Sequence, residues 1–158
     1  MKKTSIPALV GIAVFITLAA YILTRGFYGS MFAIPTAVSI TLWAMAILCG
    51  GLTFKVRKAK GEDAHGIGLD RSQLNPLTIA QFMLVGKASA WTGAIVGSAY
   101  LGIALYVVPM SGQIAAAADD LIGVVTSVLG GLAMAIAGII LERHCEVPPP
   151  TDGAQAIE

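Results

Sequence analysis

The run from Ala88 to Val108 constrains this chain most, because it carries no charge between Lys87 and Pro109. About 20 apolar helical residues cross the roughly 30 Å hydrocarbon core of a bilayer, so the run predicts a membrane span. Small side chains let helix backbones approach closely, which favours packing against other helices. They occur here in two stripes at helical spacing, Gly93 with Gly97, and Ala90 with Ala94, Ser98 and Gly102.

The composition agrees with a protein that lies largely in lipid. Of the 158 residues, 56% are hydrophobic and 12% are charged, and the mean hydropathy is +0.81. Soluble domains average about 25% charged residues. The net charge of +1 provides no basic field for nucleic acid, so the bilayer is the first partner that we expect.

Three further uncharged runs predict three more spans. The first follows Lys2 and Lys3, and a signal peptide is the alternative interpretation. We favour an uncleaved span, because apolar residues continue beyond the small pair Ala19 and Ala20 instead of ending there in a cleavage site. The predicted spans cover about 6–24, 34–54, 77–108 and 119–141. Small residues also recur every four positions in the last run, at Gly123, Ser127, Gly131 and Ala135.

The segments between the spans are predicted to be turns and one long loop. Gly26 and Gly29 predict a turn after Arg25, and residues 55–76 form a charged, glycine-rich loop that we expect to be flexible. Asn75 and Pro76 are typical of a helix start, whereas Pro109 disfavours continuation of the helix. Asp119 and Asp120 suit the start of the fourth helix, although the alanines before them leave that start open.

The fold class that we predict is all-α, an integral membrane four-helix bundle with up-down topology. Residues 1–145 form a single domain, and the proline-rich residues 146–158 form a disordered tail. With the amino terminus inside, every Lys and Arg except Arg25 lies in the cytoplasm, so we expect both termini there. Cys49 then lies buried in the second span and Cys145 lies exposed beyond the fourth, both as free thiols.

Several short motifs resemble a known family. They are Arg25-Gly-Phe-Tyr-Gly-Ser30, Asn75-Pro-Leu77, Lys87-Ala-Ser-Ala-Trp-Thr-Gly-Ala94 and Leu141-Glu-Arg-His-Cys-Glu-Val-Pro148. In this order around four spans, they resemble the actinobacterial membrane family labelled domain of unknown function 3180. The resemblance covers nearly the whole chain and implies a location in the bacterial plasma membrane. It implies no activity, because none is established for that family.

No arrangement of residues predicts catalysis, a metal site or a cofactor. The spans lack the internal carboxylate on which small proton-coupled exporters depend. We therefore expect an accessory or scaffolding component of a membrane or envelope assembly, acting through helix contacts with other membrane proteins or with itself. The alternative is a small transporter or a lipid-binding protein. Interface or lipid-headgroup contacts are expected at Arg25, Tyr28, Lys87 and Arg143.

Overall fold

The computed structural model describes residues 4–27, 37–60 and 76–145. These residues form four α-helices, and the described part of the chain contains no strand. The helices are α1 (Ile6–Phe27), α2 (Ala37–Lys60), α3 (Pro76–Met110) and α4 (Ala115–His144). All four are long and apolar enough to span a membrane. The predicted all-α class with four candidate spans is thus confirmed.

The helices extend beyond the predicted spans at several ends. Helix α2 continues to Lys60, because lysine and arginine are good helix formers and the start of the predicted loop is helical rather than irregular. Pro109 does not end α3, which runs one residue further to Met110. Because proline has no N–H, the helical hydrogen bond from position 109 to the carbonyl of Leu105 is not made, and the helix ends one residue later. The predicted tail lies outside the described residues, as does the loop from residue 61 to 75.

Helix α4 begins at Ala115, four residues before the predicted start. Alanine has the highest helix propensity, so the alanines preceding the two aspartates are recruited into the helix. Asp119 and Asp120 consequently lie beyond the first turn, so the match between these carboxylates and the first turn is not found. The alternative that the alanines extend the helix upstream is confirmed. At the other end the helix continues past Leu141 to His144.

The two longest helices, α3 and α4, form the centre of the bundle, with α1 against α3 and α2 mainly against α4. Helices α3 and α4 are antiparallel, because Gly93 lies against Ala135 and Gly97 against Gly131. Helix α1 runs parallel to α3. Two contacts show this direction. Thr4, just before α1, bonds to Glu142, which lies beside Gly86 in the first half of α3. Thr17, further along α1, bonds to Ser98 near the middle of α3.

The side chains that α2 buries form two clusters with α3 and α4. Leu42 and Ala46 pack with Met134 near the middle of the bundle. Nearer the end where α3 begins, a second cluster contains Cys49, Val56, Ile79, Leu141 and Cys145. Cys145 is only 2% exposed, so the expectation that it is exposed is wrong. The last turn of α4 still packs inside the bundle and carries this cysteine with it.

Candidate functional site

Helices α3 and α4 meet along a strip of small residues, here called the glycine seam. A Cβ atom added at Gly93 would lie 2.6 Å from Ala135 N, and one added at Gly138 would lie 2.5 Å from Ala90 N. Both distances are far shorter than van der Waals contact with a backbone atom. The seam therefore depends on the absence of side chains. Its members are Gly86, Ala90, Gly93, Gly97, Gly131, Ala135 and Gly138.

The glycine seam contains residues from both small-residue stripes that the sequence shows in α3. Gly93 and Gly97 lie in it together with Ala90, while Gly102 faces α1, where an added Cβ would lie 2.5 Å from Thr17 O. Ala94 and Ser98 line a groove between α1, α3 and α4. Gly86 and Gly138 were missed, although their spacing of seven from Gly93 and from Gly131 is a readable signal.

The fourth-helix stripe is buried, but its members have different neighbours. Gly131 lies directly against Gly97, and Gly123 is buried nearer the start of α4. Ser127 is fully buried, and its hydroxyl lies beside the side chain of Tyr100.

The groove beside the seam has a volume of about 560 Å³ and opens to the outside of the bundle. One wall is α1 from Ile6 to Leu18, and the other is α4 from Val128 to Ile139. The floor is α3, with the small residues that keep the groove deep. Thr17 and Ser98 supply the two hydroxyls in the lining, which is otherwise apolar.

Both of those hydroxyls are occupied within the protein. Thr17 Oγ1 donates to Ala13 O at 2.8 Å and also lies 3.1 Å from Ser98 O. Ser98 Oγ donates to Ile95 O at 3.0 Å. Such bonds to carbonyls one helical turn earlier satisfy a hydroxyl inside a span. The lining of the groove consequently presents hydrocarbon to whatever fills it.

A buried carboxylate lies at the end of the bundle where the groove begins. Glu142 is 4% exposed, and its Oε1 accepts a hydrogen bond from Thr4 N at 2.9 Å. Burying a carboxylate is costly unless hydrogen bonds compensate it, so this contact ties the start of α1 to the end of α4. Sequence reasoning missed Glu142. The charged tetrapeptide around it resembles a solvated helix end, and only the packing against Gly86 reveals its burial.

The predicted headgroup contacts lie at the bundle ends, as far as they are described. Arg25 is exposed in the last turn of α1, whereas Arg143 is exposed near the end of α4. Lys87 is half-buried on α3, close to Gly86. Tyr28 lies outside the described residues. Arg25 and Arg143 are therefore at opposite ends of the bundle, because α1 and α4 are antiparallel.

The outer surface of α2 contains two adjacent glycines that no described helix covers. Nothing in the described chain would come within 4 Å of a Cβ at Gly50 or Gly51. Large side chains stand on either side of them along the helix, with Ile47 72% exposed and Phe54 71% exposed. We call this depression, formed by Ile47, Gly50, Gly51 and Phe54, the α2 notch.

The polar chemistry of the described residues is sparse. Cys49 Sγ donates to Ser89 Oγ at 3.3 Å inside the bundle, and neither described cysteine is in a disulfide. Among residues 4–27, 37–60 and 76–145, no three His, Cys, Asp or Glu side chains are grouped so as to hold a metal ion. The surfaces with distinctive shape are thus the glycine seam, the groove and the α2 notch.

Four apolar helices packed through small residues define a small multi-pass membrane protein. The chain belongs to the family described as "Protein of unknown function (DUF3180)", whose model matches residues 9–149. This match confirms the family inferred from the short motifs. No curated protein and no solved structure matches the chain.

Proposed function

We propose that this protein is an accessory or scaffolding component of an assembly in the bacterial plasma membrane, which it joins through a helix of another membrane protein. The proposal includes an orientation with both termini in the cytoplasm, in accordance with the distribution of Lys and Arg. The observation that carries it is the α2 notch.

Glycine in a helix interior is less favourable than alanine by about 0.5–1 kcal/mol. At Gly93, Gly97 and Gly131 this cost has a structural counterpart, since all three lie against another backbone. Gly50 and Gly51 have no such contact with the described chain. In membranes, helices approach one another at small residues, and larger flanking side chains form the rim of the hole that accepts a partner's side chain. The notch has this shape.

The test compares three substitutions of glycine by leucine in the full chain, expressed in a bacterium that carries the protein naturally and extracted in mild detergent. Gly51→Leu fills the notch, where it meets nothing within the described chain. We expect unchanged thermal unfolding and loss of a stoichiometric copurifying protein. Gly11→Leu is the matched control, because Gly11 is equally open but lies on α1. It should retain the partner.

Gly97→Leu serves as the contrast for an internal contact. A Cβ there would lie 3.1 Å from the Gly131 Cα, so a leucine must separate α3 from α4. We expect a lower unfolding temperature in detergent whether or not a partner is present. If Gly51→Leu retains every copurifying protein that wild type has, or if wild type has none, the proposal is refuted. A partner that proves to be a second copy of this chain would replace the assembly with self-association.

A further inference from the structure

The groove between α1, α3 and α4 is suited to a hydrocarbon chain rather than to a polar ligand. Among its described lining residues, only Thr17 and Ser98 carry hydroxyls, and both hydroxyls are satisfied by backbone carbonyls. A ligand in this groove therefore finds no free hydroxyl donor, and the rest of the lining is apolar. Polar groups lose free energy in such surroundings, whereas methylene groups do not.

The length of the groove matches one leaflet of a bilayer. Its α1 wall runs from Ile6 to Leu18, which spans roughly 18 Å at 1.5 Å per residue. Half of a hydrocarbon core about 30 Å thick is roughly 15 Å. The groove begins beside Ile6, at the amino-terminal end of α1, and ends near the middle of the bundle. It thus covers the depth over which the acyl chains of a single leaflet lie.

The groove has a wall on each side. Helix α3 forms the floor with small residues such as Ala94, and α1 and α4 form the two walls. The volume between them is about 560 Å³. A flexible acyl chain can lie along such a cleft.

At the end where the groove begins, the helix faces of α3 and α4 that line it each carry a basic residue. Arg143 follows Ile139 by four residues on α4, and Lys87 precedes Ala94 by seven on α3, so each occupies the same helix face as a lining residue. The nearby carboxylate of Glu142 is buried and accepts the Thr4 N–H. Arg143 is exposed and Lys87 is half-buried. Basic side chains just outside an apolar site attract an anionic headgroup, and each contributes about 1 kcal/mol near the membrane surface.

We propose that the groove binds one acyl chain of an anionic glycerophospholipid, with the phosphate of its headgroup near Arg143 and Lys87. The lipid lies in the leaflet that contains the start of α1. This binding is independent of the assembly role, because the α2 notch is on a helix that does not line the groove. A lipid held here buttresses α1, whose described helix contacts are with α3.

The test uses the full chain in dodecylmaltoside, with phosphatidylglycerol added in mixed micelles. Retained lipid is counted by native mass spectrometry, and the unfolding temperature is followed in parallel. Ala13→Phe and Val10→Trp both fill the groove from α1. Val10 is 54% exposed, so its larger replacement does not disturb the packing between helices. Leu48→Trp is the matched control, because Leu48 is exposed on α2 and outside the groove.

Wild type and Leu48→Trp should retain one phosphatidylglycerol and unfold at a higher temperature in its presence. Both groove variants should bind it about tenfold more weakly or worse, a change of roughly 1.4 kcal/mol. Arg143→Gln should reduce the preference for phosphatidylglycerol over phosphatidylcholine about fivefold, in line with one basic contact. Soluble glycerol phosphate should not compete, because it lacks the acyl chain.

Equal lipid retention by wild type and by a folded groove variant overturns the proposal. So does an oligomer, measured by light scattering, that Ala13→Phe or Val10→Trp dissociates without altering lipid retention. That outcome makes the occupant a second copy of the chain. If Ala13→Phe alone unfolds, Val10→Trp decides. Gly51→Leu should lose the copurifying partner and still retain the lipid. A failure of one proposal is therefore distinguishable from a failure of the other.

Discussion

A single added methyl group at Gly93 tests whether the glycine seam sets the stability of the bundle. In Gly93→Ala, the new Cβ would lie 2.6 Å from Ala135 N and 2.8 Å from Gly131 O. Both are backbone atoms, so no side chain can rotate away. Helices α3 and α4 must instead move apart by roughly 1 Å to reach van der Waals separation.

The cost follows from the length of the seam. A gap of 0.5–1 Å forfeits a quarter to a half of each contact of about 0.1–0.2 kcal/mol, so some 20 lost atom pairs amount to roughly 1 kcal/mol. Overpacking of a filled interior adds about 1–3 kcal/mol. Alanine recovers about 0.5–1 kcal/mol through its higher helix propensity. We therefore expect Gly93→Ala to lower the free energy of unfolding by about 1–3 kcal/mol.

The matched control has the opposite expected sign. Gly51→Ala meets nothing within 4 Å in the described chain, so only the gain in helix propensity remains, about 0.5–1 kcal/mol of stabilisation. The assay is reversible unfolding of each variant by sodium dodecyl sulfate in mixed micelles, followed by circular dichroism. If Gly93→Ala is as stable as Gly51→Ala, the helices do not approach as the seam requires, and the reasoning fails.

Two further predictions concern the end of the bundle where α1 begins. Glu142→Gln keeps an oxygen acceptor for Thr4 N and should change the unfolding free energy by less than about 1 kcal/mol, whereas Glu142→Ala leaves the N–H without its acceptor and should cost about 1–3 kcal/mol in the same assay. Cys49 and Cys145 should both resist a membrane-impermeant maleimide in intact and in permeabilised cells, and both should react after unfolding in sodium dodecyl sulfate, because both are buried. Rapid labelling of folded Cys145 would show that the last turn of α4 opens readily.

The helices were predictable because lipid imposes a simple requirement on the chain. A span needs a long run of apolar residues, and each of the four helices contains one. Their ends were less predictable, since alanines and lysines extend a helix into regions where hydropathy gives no signal. The extension of α4 back to Ala115 and of α2 on to Lys60 are both of this kind.

The interfaces were predictable in part, for a geometric reason. Spacing shows which small residues share a helix face, so Gly93 and Gly97 emerge together from the sequence. Spacing does not show which neighbouring helix each face meets. Gly102 resembles a continuation of the α3 stripe, yet it contacts α1 rather than α4. The burial of Glu142 and Cys145 likewise depends on how far α4 runs alongside its neighbours, which no local pattern records.

The attachment of α1 to α3 has a consequence for how the molecule is made. A chain synthesised from its amino terminus releases α1 into the membrane first, yet among the described helices α1 packs only against α3. The first helix must therefore remain surrounded by lipid while the second is inserted, and it docks only once Gly102 and its surroundings have emerged. During biogenesis, the first helix to be synthesised therefore waits for the third before it has a neighbour in the bundle.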